Sequence, residues 1–188
     1  MAILNFTKDK KRLVFLFNHS GKIDIKAAKP GHSVYICGLF LGKNKDVFEI
    51  KTLQHHKAPD TFSNLLIKGV FFDKSRFHHQ GLIRIEKSAQ RSHAYQKSQS
   101  LVMSGETFVE SEPFLEILAD DVMCKHGSTT GKLEDDQIYY LKTRGLSEKK
   151  AKHALIDGFI NDLFLEIEKL GFKNEVKNYK KQCSALIK

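Results

Sequence analysis

Between Leu13 and Gly131 apolar and polar residues alternate in short runs with a period of two. Ile23 and Ile25 stand among Lys22, Asp24 and Lys26; Phe48 and Ile50 among Glu49 and Lys51; Ile83 and Ile85 among Arg84 and Glu86; Leu115 and Ile117 flank Glu116. Successive side chains of a strand point to opposite faces, so this period predicts half-buried strands. The chain has no Asn-Gly, and its one Asp-Gly, Asp157-Gly158, falls in a helical pattern, which removes the usual signal for two-residue hairpins. Single glycines punctuate the region instead, at Gly21, Gly31, Gly42, Gly69, Gly81, Gly105 and Gly127. Many short strands without tight hairpins fit a parallel β-solenoid or a sandwich, and periodicity alone leaves both open.

After Leu133 the period changes, dividing the chain into a strand region, 1–133, and a helical subdomain, 134–188. Glu134, Asp135 and Asp136 suit a helix N-terminus, Ile138, Tyr139 and Leu141 give an apolar face, and Arg144-Gly145 is a stop. Ser147 then caps a longer helix running to about Leu170 and ended by Gly171. Along it Ala151, Leu155, Phe159, Leu163 and Ile167 recur every four residues, joined by Ala154, Ile156, Ile160, Phe164 and Leu170. That stripe is wider than one face needs: part is expected on the strand region, and the surplus, with Leu155, Phe159, Leu163 and Phe164, on a partner. Phe172 to Lys188 reads as a lysine-rich, weakly helical tail.

With 188 residues, 41% hydrophobic and 28% charged, the chain is long enough for one good core. No apolar run reaches the roughly 18 residues of a membrane helix. The N-terminal charge follows a very short apolar patch, the reverse of a secretion signal, so a cytoplasmic protein is expected. The net charge of +9 invites a nucleic-acid reading, but the lysines are spread along the chain and no motif with aromatic stacking positions accompanies them. A solvated basic surface, or one that meets an acidic protein, is favoured over a nucleic-acid or polyanion module.

Three cysteines lie far apart with no Cys-x-x-Cys, which argues against a disulfide framework or an autonomous zinc ribbon. Cys37, in the apolar run Val34 to Leu41, is expected in the core, and Cys183, in the tail, is expected to be incidental. Cys124 differs. In Ala-Asp-Asp-Val-Met-Cys-Lys-His-Gly-Ser-Thr-Thr-Gly-Lys-Leu, Ala119 to Leu133, equal parity on a strand places Asp120, Val122, Cys124 and His126 on one face. The Cα atoms of Cys124 and His126 are then about 7 Å apart, and their tips can converge on one ion. Two ligands do not close a site; zinc and iron–sulfur centres usually take four, so others must come from elsewhere in the fold or from a partner. The pairs His55-His56 and His78-His79 cannot chelate as pairs, since neighbours on a strand face opposite ways. Arg91-Ser-His-Ala-Tyr-Gln96 suits a buried hydrogen-bonded ladder better than a groove.

From Phe114, the segment Phe-Leu-Glu-Ile-Leu-Ala-Asp-Asp-Val-Met-Cys-Lys-His-Gly-Ser-Thr-Thr-Gly-Lys-Leu and the following Asp-Asp-Gln-Ile-Tyr-Tyr-Leu-Lys-Thr-Arg-Gly-Leu resemble the C-terminal signature of the SufB/SufD family of iron–sulfur cluster assembly proteins, on the SufD side. His56 to Val70 and Ala94-Tyr95-Gln96 resemble it too, so the likeness runs from about Gly38 to Phe164. It implies a right-handed parallel β-helix followed by a small C-terminal helical subdomain. It further implies a scaffold without catalysis of its own, paired with a SufB-like subunit and holding a SufC-like ATPase on its C-terminal helices. Cys124 and His126 would then be cluster or metal candidates at the contact between scaffold chains, with Asp120 and His56 secondary. No cofactor is expected on this chain alone; a cluster or iron would be shared with the partner.

Two departures matter. Lys97-Ser-Gln-Ser100 stands before Leu101 where the B branch carries a cysteine, so the thiol of the principal cluster-building partner is missing. The chain also looks like a C-terminal half, truncated relative to the family. Its first strand near Leu13 is then expected to expose an edge and to favour a homodimer through that edge or the heterodimer surface. A thiol enzyme with Cys124 as nucleophile and His126 as base is the weakest alternative, because no third orienting group beyond Asp120 is evident. Gly127-Ser-Thr-Thr-Gly-Lys132 lacks the spacing of a phosphate-binding loop, so ATP hydrolysis belongs to a partner.

Overall fold

The structure, a computed structural model, describes residues 2–186. Its strands are β1 (Ala2–Lys8), β2 (Lys11–Phe17), β3 (Gly21–Ala27), β4 (Ser33–Gly42), β5 (Val47–His56), β6 (Phe62–Phe71), β7 (Arg76–Ile85), β8 (Ser92–Val102), β9 (Phe108–Ile117) and β10 (Val122–Gly131). The helices α1 (Asp135–Thr143), α2 (Glu148–Lys169) and α3 (Lys177–Leu186) follow. The strands form a six-stranded sheet in the order β1-β2-β4-β6-β8-β10 and a four-stranded sheet in the order β3-β5-β7-β9. From β2 onward the chain therefore alternates between sheets, and each strand pairs in parallel with one a full turn later. Ser33 lies beside Phe62 and Phe62 beside His93, a repeat of about 30 residues. This is a parallel β-solenoid of about four turns, and it resolves the choice left open by the hydrophobic period.

The solenoid is filled from inside by alternate residues of both sheets, among them Val14, Ile25, Ile36, Ile50, Leu65 and Phe77. A second core lies on the outer face of the larger sheet, where Leu13, Phe15, Cys37 and Leu39 meet Ile156, Ile160, Leu163, Phe164 and Ile167 of α2. The early strands of that sheet are thus buried on both faces, which is why β2 and β4 carry unbroken apolar runs while β3 and β5 alternate. Strands and helices share this outer core. Ser147 caps α2 by accepting from the Lys150 amide, and Gly171, at φ +91°, takes up the left-handed turn beyond its end.

Glycine marks fewer turns than expected: Gly42, Gly69, Gly81 and Gly127 sit within strands. Several corners instead use Asn18, Asn44, Asp60 and Asp73 at positive φ, which short polar side chains tolerate. Arg91, also at positive φ, is held by two 2.7 Å hydrogen bonds to the Asp60 carboxylate one turn away. Gly81 has a packing reason. A Cβ there would fall 2.2 Å from the Gln96 amide, which fills the interior opposite it.

Three expectations are corrected. Leu13 is not on an edge: β1 folds back antiparallel onto β2 and covers it, with Leu4 and Phe6 joining the outer core. Cys183 is not incidental, because Phe172, Val176 and Cys183 are buried in the same core, where apolar surroundings push the Cys183 thiol up to about 12. Leu163 and Phe164 are fully buried against the solenoid, so they cannot meet a partner. Cys37 is buried as expected, its thiol raised to about 12 first by desolvation and then by the nearby Glu166.

Candidate functional site at the open end of the solenoid

The last turn, β9 and β10, has neighbours on one side only: β9 pairs with β7 and β10 with β8. Leu115 and Ile117 continue the inward columns of Ile83 and Ile85. Those isoleucines are 0% exposed, yet Leu115 and Ile117 are 42% and 40% exposed, because no further turn covers them. They make an apolar mouth beside two free backbone edges, with Leu118 exposed just after β9, while Phe114 and Met123, of the opposite parity, are exposed on the outer faces of their sheets. The sequence signalled none of this, since an alternating strand reads the same whether or not another strand follows.

Cys124 and His126 lie on β10 as expected, an extended strand. Cys124 stands beside the buried Ala94 and His126 beside the buried Gln96, so both belong to the inward-facing parity at the mouth. Cys124 is half-buried with Val122 against Ile83, Ile85, Ala94 and Ala119, whereas His126 is exposed. Burial raises the thiol of Cys124 above its ordinary value. A nucleophilic or ligating cysteine needs its thiolate, so the chain by itself does not activate this group, and a cation brought to it would. That argues against the thiol-enzyme reading.

The secondary candidates lie apart. Asp120 is exposed in the bend ahead of β10, off the strand that was expected to carry it. His56 ends β5, deep in the interior, with Nδ1 2.7 Å from Thr61 Oγ1 and Nε2 2.7 Å from Ser63 Oγ. Desolvation, then the neighbouring His55, lowers it to about 4, the state of a neutral, hydrogen-bonded core histidine. His79 is its counterpart, bonded to Thr52 and Ser111 and also lowered to about 4. The Arg91–Gln96 segment divides as a ladder should, with Ser92, Ala94 and Gln96 buried inside and His93 exposed.

No group of three or more His, Cys, Asp or Glu side chains is placed to hold a metal among the described residues. The donor set at the mouth is therefore one thiol and one imidazole, a fit for two positions of a four-coordinate sulfur and nitrogen site and short of the rest. On the helical side, Tyr139 and Tyr140 of α1 are 70% and 57% exposed. Leu155 and Phe159 of α2 are half-buried, and Phe159 lies under the Lys68 ammonium, 4.3 Å from its ring centre. No helix among the described residues is long and apolar enough to cross a membrane.

A parallel β-solenoid of about four turns, with a thiol and an imidazole on its last strand and a small helical part after it, places the chain among the β-solenoid proteins. The SUF system FeS cluster assembly, SufBD core domain matches residues 19–159, and the chain belongs to that family. It is 32% identical over 141 residues to the iron-sulfur cluster assembly protein SufD of Escherichia coli, covering 75% of this chain and 33% of the relative. It is 34% identical over 109 residues to the SufBD family protein slr0076 of Synechocystis, covering 58% and 24%. A chloroplastic protein of Arabidopsis thaliana, ABCI7, is 33% identical over 101 residues, covering 54% and 21%. The chain thus spans a third or less of the length of these relatives.

Proposed function

We propose that this chain is a non-catalytic scaffold subunit of a SufBCD-type complex, with the nascent iron–sulfur cluster as its cargo. The open end accepts a SufB-like subunit: β9 and β10 offer unpaired edges, and Leu115 and Ile117 offer the apolar surface to be covered. Cys124 and His126 each present a donor there, and the partner supplies the remaining ligands, so cluster chemistry takes place only in the closed assembly. A SufC-like ATPase docks on the C-terminal helices through the exposed Tyr139 and Tyr140 of α1 and the half-buried Leu155 of α2; Leu163 and Phe164 hold α2 to the solenoid beneath. The observation that carries the reading is the uncovered last turn, where the exposed Leu115 and Ile117 face inward and whose two ligand-type residues have no third beside them among the described residues.

Co-expression with a SufB-type subunit and a SufC-type ATPase, followed by affinity capture, tests it. Leu115→Asp with Ile117→Asp should lose the B-type partner and keep the ATPase. Tyr139→Ala with Tyr140→Ala should do the reverse. Cys124→Ser with His126→Ala should assemble normally but support no cluster formation. Capture of both partners by the two surface variants at wild-type levels would count against the assignment.

A further inference from the structure

The helices pack on the larger sheet, and among the described residues none covers the outer face of the smaller one. In register, its outward residues form rows across β3, β5, β7 and β9. One row reads Lys22, Lys51, Gln80, Glu112; the next Asp24, Leu53, Leu82, Phe114; the third Lys26, His55, Arg84, Glu116. The middle row is open to solvent: Phe114 is 50% exposed, and a groove of about 360 Å³ runs over Leu53 and Leu82, with Phe114, Lys22 and Lys51 on its walls. Charge is sorted by strand. β9 turns Glu110, Glu112 and Glu116 outward and no basic side chain, while β3 turns Lys22 and Lys26 outward with Asp24 between them. The glutamates are held in place: Glu112 accepts from Gln80 at 2.8 Å and lies 2.9 Å from His78 Nε2, and Glu116 lies 3.4 Å from Arg84.

A partner of one charge sign meets repulsion at one side of such a face. A second copy of the face meets none, provided it is turned the right way. A two-fold axis across the strands reverses the order of the rows and sets Lys22 over Lys26 and Glu112 over Glu116, like on like. An axis along the strands keeps the rows and reverses the order of the strands. Lys22 then faces Glu112, Lys26 faces Glu116 and Leu53 faces Leu82, each contact made twice. Asp24 falls against Phe114 at the two rims, where it keeps Lys26 at 3.8 Å. We propose that this face is an interface between two copies of the chain, packed sheet on sheet about an axis along the strands. Four strands of ten residues give a face of roughly 600 Å². That is below the roughly 800 Å² per partner of a standard interface, so the dimer is weak and reversible, with a Kd on the order of ten micromolar. The interface depends neither on the open end nor on the scaffold reading.

Sedimentation equilibrium of the full chain tests it, with Leu115→Asp and Ile117→Asp present throughout so that association through the mouth does not contribute. Monomer and dimer should exchange in the micromolar range. Lys22→Glu with Lys26→Glu should weaken self-association by about tenfold or more, and so should Glu112→Lys with Glu116→Lys, since facing pairs become repulsive twice over. The far-ultraviolet circular dichroism of both variants should stay unchanged. An equal mixture of the two should associate as the unreversed chain does, because every facing pair is again of opposite sign. A chain that stays monomeric at about ten times the expected Kd, unchanged association in either charge-reversed variant, or no recovery on mixing the two folded variants would overturn the proposal.

Discussion

Replacing Asp162 with alanine leaves a buried ammonium without its counter-charge. Lys68 projects from β6 into the layer between sheet and helices, its side chain 4% accessible, and places Nζ 2.6 Å from Asp162 Oδ2 on α2. Breaking a fully buried pair costs about 3–5 kcal/mol. Here the carboxylate is 56% accessible, so water screens the pair and part of that cost disappears. A charge-assisted hydrogen bond contributes about 1.5–3 kcal/mol, and the ring of Phe159 still faces the ammonium in the variant. The expected loss for Asp162→Ala is about 2 kcal/mol, a fall in Tm of roughly 4–8 °C for a domain this size. Lys68→Met removes the charge and keeps the apolar stem, so it should cost less than about 1 kcal/mol, and in its background Asp162→Ala should cost almost nothing.

Urea unfolding of the four proteins at neutral pH measures the cycle. The hydrogen bond from Lys68 holds the Asp162 carboxyl below its usual range, against the opposing effect of burial. Because the folded value lies below the unfolded one, the contribution is complete at neutral pH and is lost as the pH falls through the folded value. Wild type and Asp162→Ala should therefore converge in acid. Equal losses from Asp162→Ala and Lys68→Met, or additive losses in the double variant, would refute the reasoning.

His56 and His79 are lowered from 6.5 to about 4 by burial, so the unfolded chain binds protons that the folded chain refuses. Their stability is complete above pH 6.5 and is lost as the pH falls toward 4; each should account for roughly 2 kcal/mol by pH 5, and His79→Gln should flatten the urea midpoint's dependence on pH. Gly81→Ala should cost about 1–3 kcal/mol in urea unfolding, because the Gln96 amide must leave its place in the interior. Cys124, its thiol raised by burial, should react with iodoacetamide at pH 7 more slowly than a free thiol, and faster alkylation would contradict the geometry. Cys37 and Cys183, both raised to about 12, should stay unlabelled until the chain unfolds.

Much of this fold was legible because local and global preferences agree. Ile23 and Ile25, Phe48 and Ile50, and Ile83 and Ile85 alternate because one face of each strand looks into the solenoid. Ser147 and Gly171 bracket α2 through cap chemistry that needs no tertiary context. Cys124 and His126 share parity because β10 is regular. What escaped depends on what lies alongside. The stripe on α2 is apolar over more than one face, and nothing in it says that Leu163 and Phe164 turn toward Phe15 rather than toward solvent. β1 passed for a short apolar patch because pairing with β2 is what makes it a strand. The lysine-rich tail concealed Phe172, Val176 and Cys183, three apolar contacts spaced too irregularly to announce a docked helix.

The reversed strand β1 also bears on how many molecules can join. Identical parallel coils with two matching ends would concatenate head to tail without limit, as any heterologous contact that fails to close does. In the larger sheet the outermost strand at one end runs antiparallel to its neighbour and so breaks the parallel ladder there, while the smaller sheet ends at that side in β3. On the β10 side both outer strands, β9 and β10, are paired in parallel, so there both sheets present the same template.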